Sequence, residues 1–136
     1  MIVVGTNIIV HLVVSGEESA AAQAALRKDP DWAAPFLWRI EFCNVQLLYL
    51  RRRLLTSNDA LNNLEHAQQL LKGREYLPSP KAVLNLAAAG NCTAYDCEFV
   101  ALAQDLGVKL VTLDRQIPAH FPETAVGLVR FIGERS

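Results

Sequence analysis

Short apolar runs alternate with longer segments of helical composition along the chain, and glycine or proline separates many of them. The two clearest apolar runs are Ile2 to Val4 and Lys109 to Leu113, which are short enough to be buried strands. Strands that are apolar on both faces are typical of parallel sheets with helices packed against each side. The alternation therefore predicts an α/β fold with a short central parallel sheet and helices on both faces.

Caps and stops place the helices along the chain. Ser79 followed by Pro80 predicts a helix start, and Gly107 predicts a helix end. Helices are expected at 6–14, 17–28, 36–55, from a cap at Ser57 or Asn58 to about Leu71, 80–90 and 94–106. Weaker strands are expected at 32–34, 76–77 and 125–128, followed by a short tail. The apolar residues expected to pack within the longest helix are Ile40, Val45, Leu47, Leu48 and Leu54.

Length and composition limit the class of protein. The chain has 136 residues, 51% of them hydrophobic and 20% charged, which predicts one globular domain spanning 1–136. A net charge of −1 gives no overall attraction to nucleic acid, so RNA binding would depend on a local basic patch. The three cysteines form no CxxC pair, and we see no secretory or membrane-spanning pattern, so a cytoplasmic location is expected.

Acidic residues occur where a carboxylate needs a partner. Ligands of parallel sheets bind beyond the carboxyl ends of the strands, and Gly5 and Asp114 follow two of the predicted strands. Glu41 and Asp96 lie in apolar helical segments, where an unpaired carboxylate is costly. A hard divalent ion such as Mg²⁺ or Mn²⁺, which prefers oxygen ligands, would offset that cost.

Four segments, in order along the chain, resemble the motifs of the PIN-domain ribonucleases, and in particular of the VapC-type toxins of bacterial toxin–antitoxin pairs. The four segments are Val3-Val4-Gly5-Thr6-Asn7, the helical Glu41, Thr93-Ala94-Tyr95-Asp96 and Thr112-Leu113-Asp114. The resemblance extends over essentially the whole chain. It departs at one position, because Gly5 stands where the family has its first aspartate.

The resemblance implies a PIN-like three-layer fold and a metal-dependent endoribonuclease that cuts RNA with Mg²⁺ or Mn²⁺. The implied catalytic metal ligands are Glu41, Asp96 and Asp114, with Gly5 as a ligand position that has lost its side chain. The residues expected to orient these acids through hydrogen bonds are Thr6, Asn7 and Thr112. The basic residues that are candidates for RNA contact are Arg39, Arg51, Arg52 and Arg115. The implied partners are a cognate antitoxin peptide, the RNA substrate and a second copy of the chain in a homodimer.

Each acid also has a structural interpretation. Thr93-x-x-Asp96 has the spacing of a capping box, so this aspartate could serve only to start its helix. Asp114 could be a turn former after a strand. Glu41 could form a buried ion pair with Arg39 or Arg115.

The missing acid leaves two functions open. Glycine at the first strand end removes one negative charge and two oxygens from the site, so a folded ribonuclease toxin with strongly impaired activity is expected. The alternative is a catalytically dead PIN-like module that binds an antitoxin or RNA.

The arginine cluster 51–53 could be a solvated helix end, an RNA track or a docking point for acidic groups. The carboxylates expected to be merely solvated are Glu98, Asp105 and Glu123.

Overall fold

A five-stranded sheet lies at the centre of the computed structural model, which describes residues 1–134. Residues 135–136, the end of the expected tail, lie outside the described residues. The strands are β1 (Ile2–Val4), β2 (Trp32–Pro35), β3 (Glu75–Tyr76), β4 (Leu110–Thr112) and β5 (Ala125–Gly127). Their order in the sheet is β3-β2-β1-β4-β5, and every neighbouring pair is parallel. The predicted α/β fold with a short parallel sheet is confirmed.

Helices connect these strands and surround the sheet. They are α1 (Thr6–Val13), α2 (Ser19–Lys28), α3 (Trp38–Arg51), α4 (Ser57–Leu70), α5 (Pro80–Ala89), α6 (Ala94–Leu106), α7 (Gln116–His120) and α8 (Leu128–Gly133). The last two were not predicted, and α8 occupies most of the expected tail. The cap of α4 is Thr56, not Ser57 or Asn58, and it forms a complete capping box with Asp59.

The core consists of the two central strands and the helices packed over them. Val3 and Val111 are fully buried, as are the two tryptophans Trp32 and Trp38. Helix α6 packs on β1 and β2, while α8 packs on β4 and β5. Because both faces of the central strands are covered, these strands can be apolar at every position.

Helix α3 buries a narrower stripe than its composition predicted. The apolar residues that it packs on the core follow a helical spacing of four, three and four, and they are Trp38, Phe42, Val45 and Tyr49. Val45 packs against the core as expected, but Ile40, Leu47 and Leu48 are 60%, 39% and 44% exposed. Leu54 lies beyond the end of the helix and is 65% exposed. The predicted packing of these four leucine and isoleucine residues was wrong, because a helix on the surface covers the core with only one face.

None of the helices in residues 1–134 is long and apolar enough to cross a membrane. The three cysteines are free: Cys97 is buried, and Cys43 and Cys92 are partly buried.

Candidate active site

A cavity of about 330 Å³ opens at the edge of the sheet where β1 and β4 end. Its polar lining residues are Gly5, Thr6, Asn7, Glu41, Asn44, Asp96, Thr112 and Asp114. β1 and β4 are neighbours, and the Gly5 N–H donates to the Val111 carbonyl at 2.9 Å. The structure thus brings the three predicted acids, Gly5 and the three predicted orienting residues to one cavity. Asn44 is an additional lining residue, one helical turn after Glu41, and that spacing could have identified it.

Gly5 has a backbone that any residue can adopt. Its φ and ψ are −68° and 153°, and it is the N-cap of α1 without a side-chain hydrogen bond to the helix. A Cβ atom here would lie 3.5 Å from Thr112 Oγ1 and 3.7 Å from the Val111 carbonyl oxygen, which are ordinary contacts. Neither strain nor crowding therefore requires glycine at this position.

Glu41 lies in the first turn of α3 and is held by α1. The hydroxyl of the buried Thr6 donates to Glu41 Oε1 at 2.7 Å. Burial raises the pKa of Glu41, the Thr6 hydrogen bond lowers it, and the negative charges of Asp96 and Glu98 raise it further. The described ion pairs include none between Glu41 and Arg39 or Arg115, and Arg39 binds Glu75 instead.

Asp96 lies in the first turn of α6, and its N–H contacts the residue that caps the helix. Thr93 Oγ1 accepts a hydrogen bond from the Asp96 N–H at 3.1 Å. In α4 the equivalent Asp59 carboxylate also accepts from the Thr56 N–H, which completes the box. Among the described hydrogen bonds, no such return bond joins Asp96 to Thr93. Burial raises the pKa of Asp96, the charge of Asp114 raises it further, and the Thr93 hydroxyl lowers it.

Asp114 combines a structural role with a free oxygen. Its N–H donates to Thr112 Oγ1 at 3.0 Å, and its Oδ1 accepts from the N–H groups of Gln116 and Ile117 at 2.6 and 3.2 Å. Asp114 therefore starts α7, as its interpretation as a turn former suggested. Within residues 1–134, Oδ2 of Asp114 has no hydrogen-bond donor.

The four arginines predicted to contact RNA are not among the described residues that line the cavity. Arg39 forms a two-point ion pair with Glu75, with both nitrogen–oxygen distances at 2.6 Å. Arg51 and Arg52 are exposed at the end of α3, and Arg115 is exposed beside Asp114. Glu98, predicted to be merely solvated, is partly buried, and this burial raises its pKa.

The acids fit a divalent ion in chemistry and charge, although they do not form a closed cluster. Glu41, Asp96 and Asp114 supply only oxygen donors, and none has a cationic partner among the described ion pairs. Oxygen donors with unpaired negative charge suit Mg²⁺ or Mn²⁺. Within residues 1–134, no three acidic, histidine or cysteine side chains approach closely enough to hold one ion together.

Comparison with known proteins identifies the same fold and a related sequence. The model of the PIN domain matches residues 2–123. Ribonuclease VapC3 of Pyrobaculum aerophilum is 35% identical over 124 residues, which cover 89% of this chain and 95% of that protein.

Solved structures with low sequence identity share the fold. The crystal structure of PAE2754 from Pyrobaculum aerophilum has a TM-score of 0.70 at 22% identity and covers 98% of this chain and 97% of its own. FitAB, solved bound to a DNA fragment, has a TM-score of 0.70 at 17% identity and covers 94% of this chain and 95% of its own. FitAcB from Neisseria gonorrhoeae has a TM-score of 0.58 at 19% identity and covers 93% of this chain and 96% of its own.

Proposed function

This chain belongs to the PIN-domain family, with the VapC-type ribonucleases, and from this premise we propose that it is the ribonuclease toxin of a toxin–antitoxin pair. Its proposed reaction is the hydrolysis of RNA phosphodiester bonds at an acidic site for Mg²⁺ or Mn²⁺. We also propose that Gly5 strongly impairs this reaction. The observation that carries the proposal is the set of three carboxylates without cationic partners in one cavity.

Asp96, Asp114 and Glu41 are the residues that would hold the ion. A divalent ion bound there supplies an activated water and stabilises the negative charge that develops on the phosphate. The chain positions the three acids through different supports: Thr6 holds Glu41, Thr112 and the start of α7 hold Asp114, and the first turn of α6 holds Asp96. Glu41 can accept a proton at Oε2, the oxygen that Thr6 leaves free.

Gly5 leaves the site with three acids where an aspartate at position 5 would add a fourth oxygen donor group. It lines the cavity between the ends of β1 and β4 but contributes no donor. Loss of even an outer hydrogen-bond partner of a metal ligand typically costs roughly 10–100-fold in affinity or activity. We expect at least this loss from a missing ligand, while the fold itself is unaffected because the position tolerates either residue.

Restoring the acid tests the proposal. RNA cleavage with Mg²⁺ or Mn²⁺ is compared for the chain as it is, for Gly5→Asp and for Gly5→Asn, which has the same shape without the charge. We expect cleavage to rise at least roughly tenfold in Gly5→Asp and to remain low in Gly5→Asn. Adding Glu41→Gln to Gly5→Asp should remove the gain. Equal activity of the aspartate and asparagine variants would contradict a metal-ligand role for position 5.

A second function is favoured by one observation, the absence of any closed acidic cluster from residues 1–134. It is a catalytically dead module that only binds an antitoxin or RNA. This function predicts that Gly5→Asp folds and binds Mg²⁺ but cleaves no RNA. The cleavage assay thus separates the two functions.

The proposed partners are an antitoxin and a second copy of the chain. The exposed Ile40, Leu47 and Leu48 of α3 support a protein contact, because apolar residues grouped on a surface often mark an interface. We further propose that residues 1–136 form one domain and that the protein acts on RNA in the cytoplasm. Co-expression with the cognate antitoxin and light scattering of the isolated chain measure the two associations.

A further inference from the structure

The aromatic ring of Phe36 lies exposed at the carboxyl end of β2, with a guanidinium group above it. Phe36 is 46% exposed, and the Arg39 guanidinium carbon lies 5.5 Å from the centre of its ring. Arg39 itself is exposed. We call this pair the Phe36–Arg39 platform. It presents an exposed aromatic ring and a planar guanidinium group at the protein surface.

The platform is held by a partly buried carboxylate, that of Glu75, on the neighbouring strand β3. Arg39 Nε and Nη2 donate to the two oxygens of Glu75 at 2.6 Å each. The fully buried Trp38 donates its Nε1–H to Glu75 Oε2 at 2.7 Å. Because the guanidinium is tied at two points, its plane is fixed instead of free to rotate, which reduces the ordering cost of stacking against it.

The sheet register places the backbone of Phe36 near that of Gly5, at the same edge of the sheet as the acidic cavity. Val3 pairs with Ala33 in the parallel ladder of β1 and β2, so continuing the register sets Gly5 level with Pro35. The Phe36 N–H still bonds to Tyr76 in the ladder of the next strand, at 2.9 Å. With neighbouring strands about 4.8 Å apart and a rise of about 3.3 Å per residue, the backbones of Phe36 and Gly5 are about 6 Å apart.

We propose that the Phe36–Arg39 platform binds an unpaired base of the RNA substrate by stacking, at the same edge of the sheet as the acidic cavity. This rests on the proposed ribonuclease function. Single-stranded RNA exposes base faces, which proteins bind on aromatic rings and arginine planes. In duplex RNA these faces are buried in the helix stack, so the platform selects unpaired regions.

The pairing of Arg39 determines which part of RNA it can contact. Its charge is already opposed by Glu75, and two of its donors are occupied. A phosphate would compete with that carboxylate, whereas a base needs only the planar face. Arg39, predicted from the sequence as an RNA contact, therefore acts through stacking and not as a phosphate clamp.

Binding of a fluorescein-labelled oligoadenylate, followed by anisotropy in Mg²⁺ with a check that the RNA stays intact, tests the platform. Phe36→Leu keeps an apolar side chain but removes the π-face, and Phe36→Trp enlarges it. Leu61→Ala, at a 66% exposed residue of α4, is the control. We expect Phe36→Leu to raise Kd roughly tenfold, Phe36→Trp to keep or lower it, and Leu61→Ala to leave it unchanged.

Two further readouts separate stacking from a structural role. Phe36→Leu and the parent should bind a closed RNA hairpin stem equally well, because the bases of the stem are not free to stack on the platform. The salt dependence of oligoadenylate binding should also be the same, because the substitution removes no phosphate contact. An unchanged Kd in Phe36→Leu, an equal loss for the hairpin stem, or no oligoadenylate binding by the parent would overturn the proposal. Cleavage by Gly5→Asp is measured independently, so a failed platform and a failed nuclease function give different results.

Discussion

At Glu41, burial and hydrogen bonding act in opposite directions on one carboxylate. The hydroxyl of Thr6 stabilises its charged form, but burial and two nearby acids disfavour that form. The pKa of Glu41 is raised because the unfavourable effects are larger. A charged group in this position reduces the stability of the ion-free protein, and a bound cation would reverse the effect.

Glu41→Gln should therefore stabilise the ion-free protein. Glutamine can still accept the Thr6 hydrogen bond, and the charge repulsion is lost. We expect the free energy of unfolding in EDTA at neutral pH to rise by roughly 0.2–1 kcal/mol, the range of partly screened charge interactions. Urea titration measures this change.

The pH dependence of that gain has a definite sign. Because the pKa of Glu41 is raised on folding, its charge lowers stability above the unfolded pKa, and the full cost is present above the folded pKa. The difference between parent and Glu41→Gln should shrink as the pH falls through the folded pKa. A glutamine variant that is less stable than the parent at neutral pH in EDTA would contradict this account.

Two identical motifs show what a residue pattern can and cannot predict. Thr56-x-x-Asp59 and Thr93-x-x-Asp96 have the same spacing, and both threonines cap a helix as the pattern predicts. The Asp59 carboxylate completes its capping box, while Asp96 lines the acidic cavity. The difference comes from the neighbours of each helix in the fold, which spacing along the chain does not contain.

At the scale of elements, the sequence predicts helix boundaries correctly where a capping residue marks the start of the helix and a glycine marks its end. Helix α6 matches its prediction because Thr93 caps it and Gly107 ends it in the left-handed conformation, with φ of 67°. Helix α7 was not predicted. Its first N–H groups donate to Asp114, and the sequence identified Asp114 only as a turn former, which does not indicate that a helix follows. The four segments that resemble the family predicted which residues line the cavity, but not the pairing of Arg39 with Glu75.

The two threonine caps should contribute equally to the free energy of unfolding but unequally to RNA cleavage. Thr56→Ala and Thr93→Ala each remove a cap bond and should each cost about 1 kcal/mol. In the Gly5→Asp background, we expect only Thr93→Ala to reduce RNA cleavage, because only its helix carries a cavity acid. Urea titration and an RNA cleavage assay measure the two effects. Equal losses of activity in both variants would mean that stability alone controls cleavage.

The two-residue strand β3 depends on a carboxylate that contacts α3. The hydrogen bonds from Arg39 lower the pKa of Glu75, burial raises it, and Trp38 lowers it further. A lowered pKa stabilises the fold above the unfolded pKa, and this stabilisation is lost as the pH falls through the folded pKa. We expect Glu75→Gln to destabilise the protein at neutral pH and to match the parent in acid. The exposed Glu65→Gln on α4 is the control, and urea midpoints across pH provide the measurement.

At the scale of the whole molecule, a net charge of −1 hides a local concentration of acid. Three carboxylates line one cavity, while three consecutive arginines, 51–53, lie at the far end of α3. Composition therefore could not locate the site, and the parallel topology does, because it brings the ends of β1 and β4 together. A charged side chain introduced at position 5 would interact with these three carboxylates and with the dipole at the N-terminus of α1.

The order of stability of two variants at position 5 should reverse when metal is added. Aspartate and asparagine both cap helices well, so their difference isolates one charge. The helix dipole favours aspartate by about 0.3–1 kcal/mol. Repulsion from the three carboxylates that line the cavity opposes it, and because three like charges act against one helix dipole, repulsion should dominate. In EDTA, Gly5→Asn should unfold at a higher temperature than Gly5→Asp.

With Mg²⁺ the aspartate variant should become the more stable of the two. An ion that binds only the folded state stabilises it by RT ln(1 + [L]/Kd), and roughly 10–100-fold tighter binding adds about 1.4–2.8 kcal/mol at saturation. Thermal unfolding of both variants across a Mg²⁺ titration measures the crossing. If Gly5→Asp is the less stable variant at every Mg²⁺ concentration, position 5 is not a ligand position. If it is the more stable one already in EDTA, the three acids do not repel it, and the electrostatic account of the cavity fails.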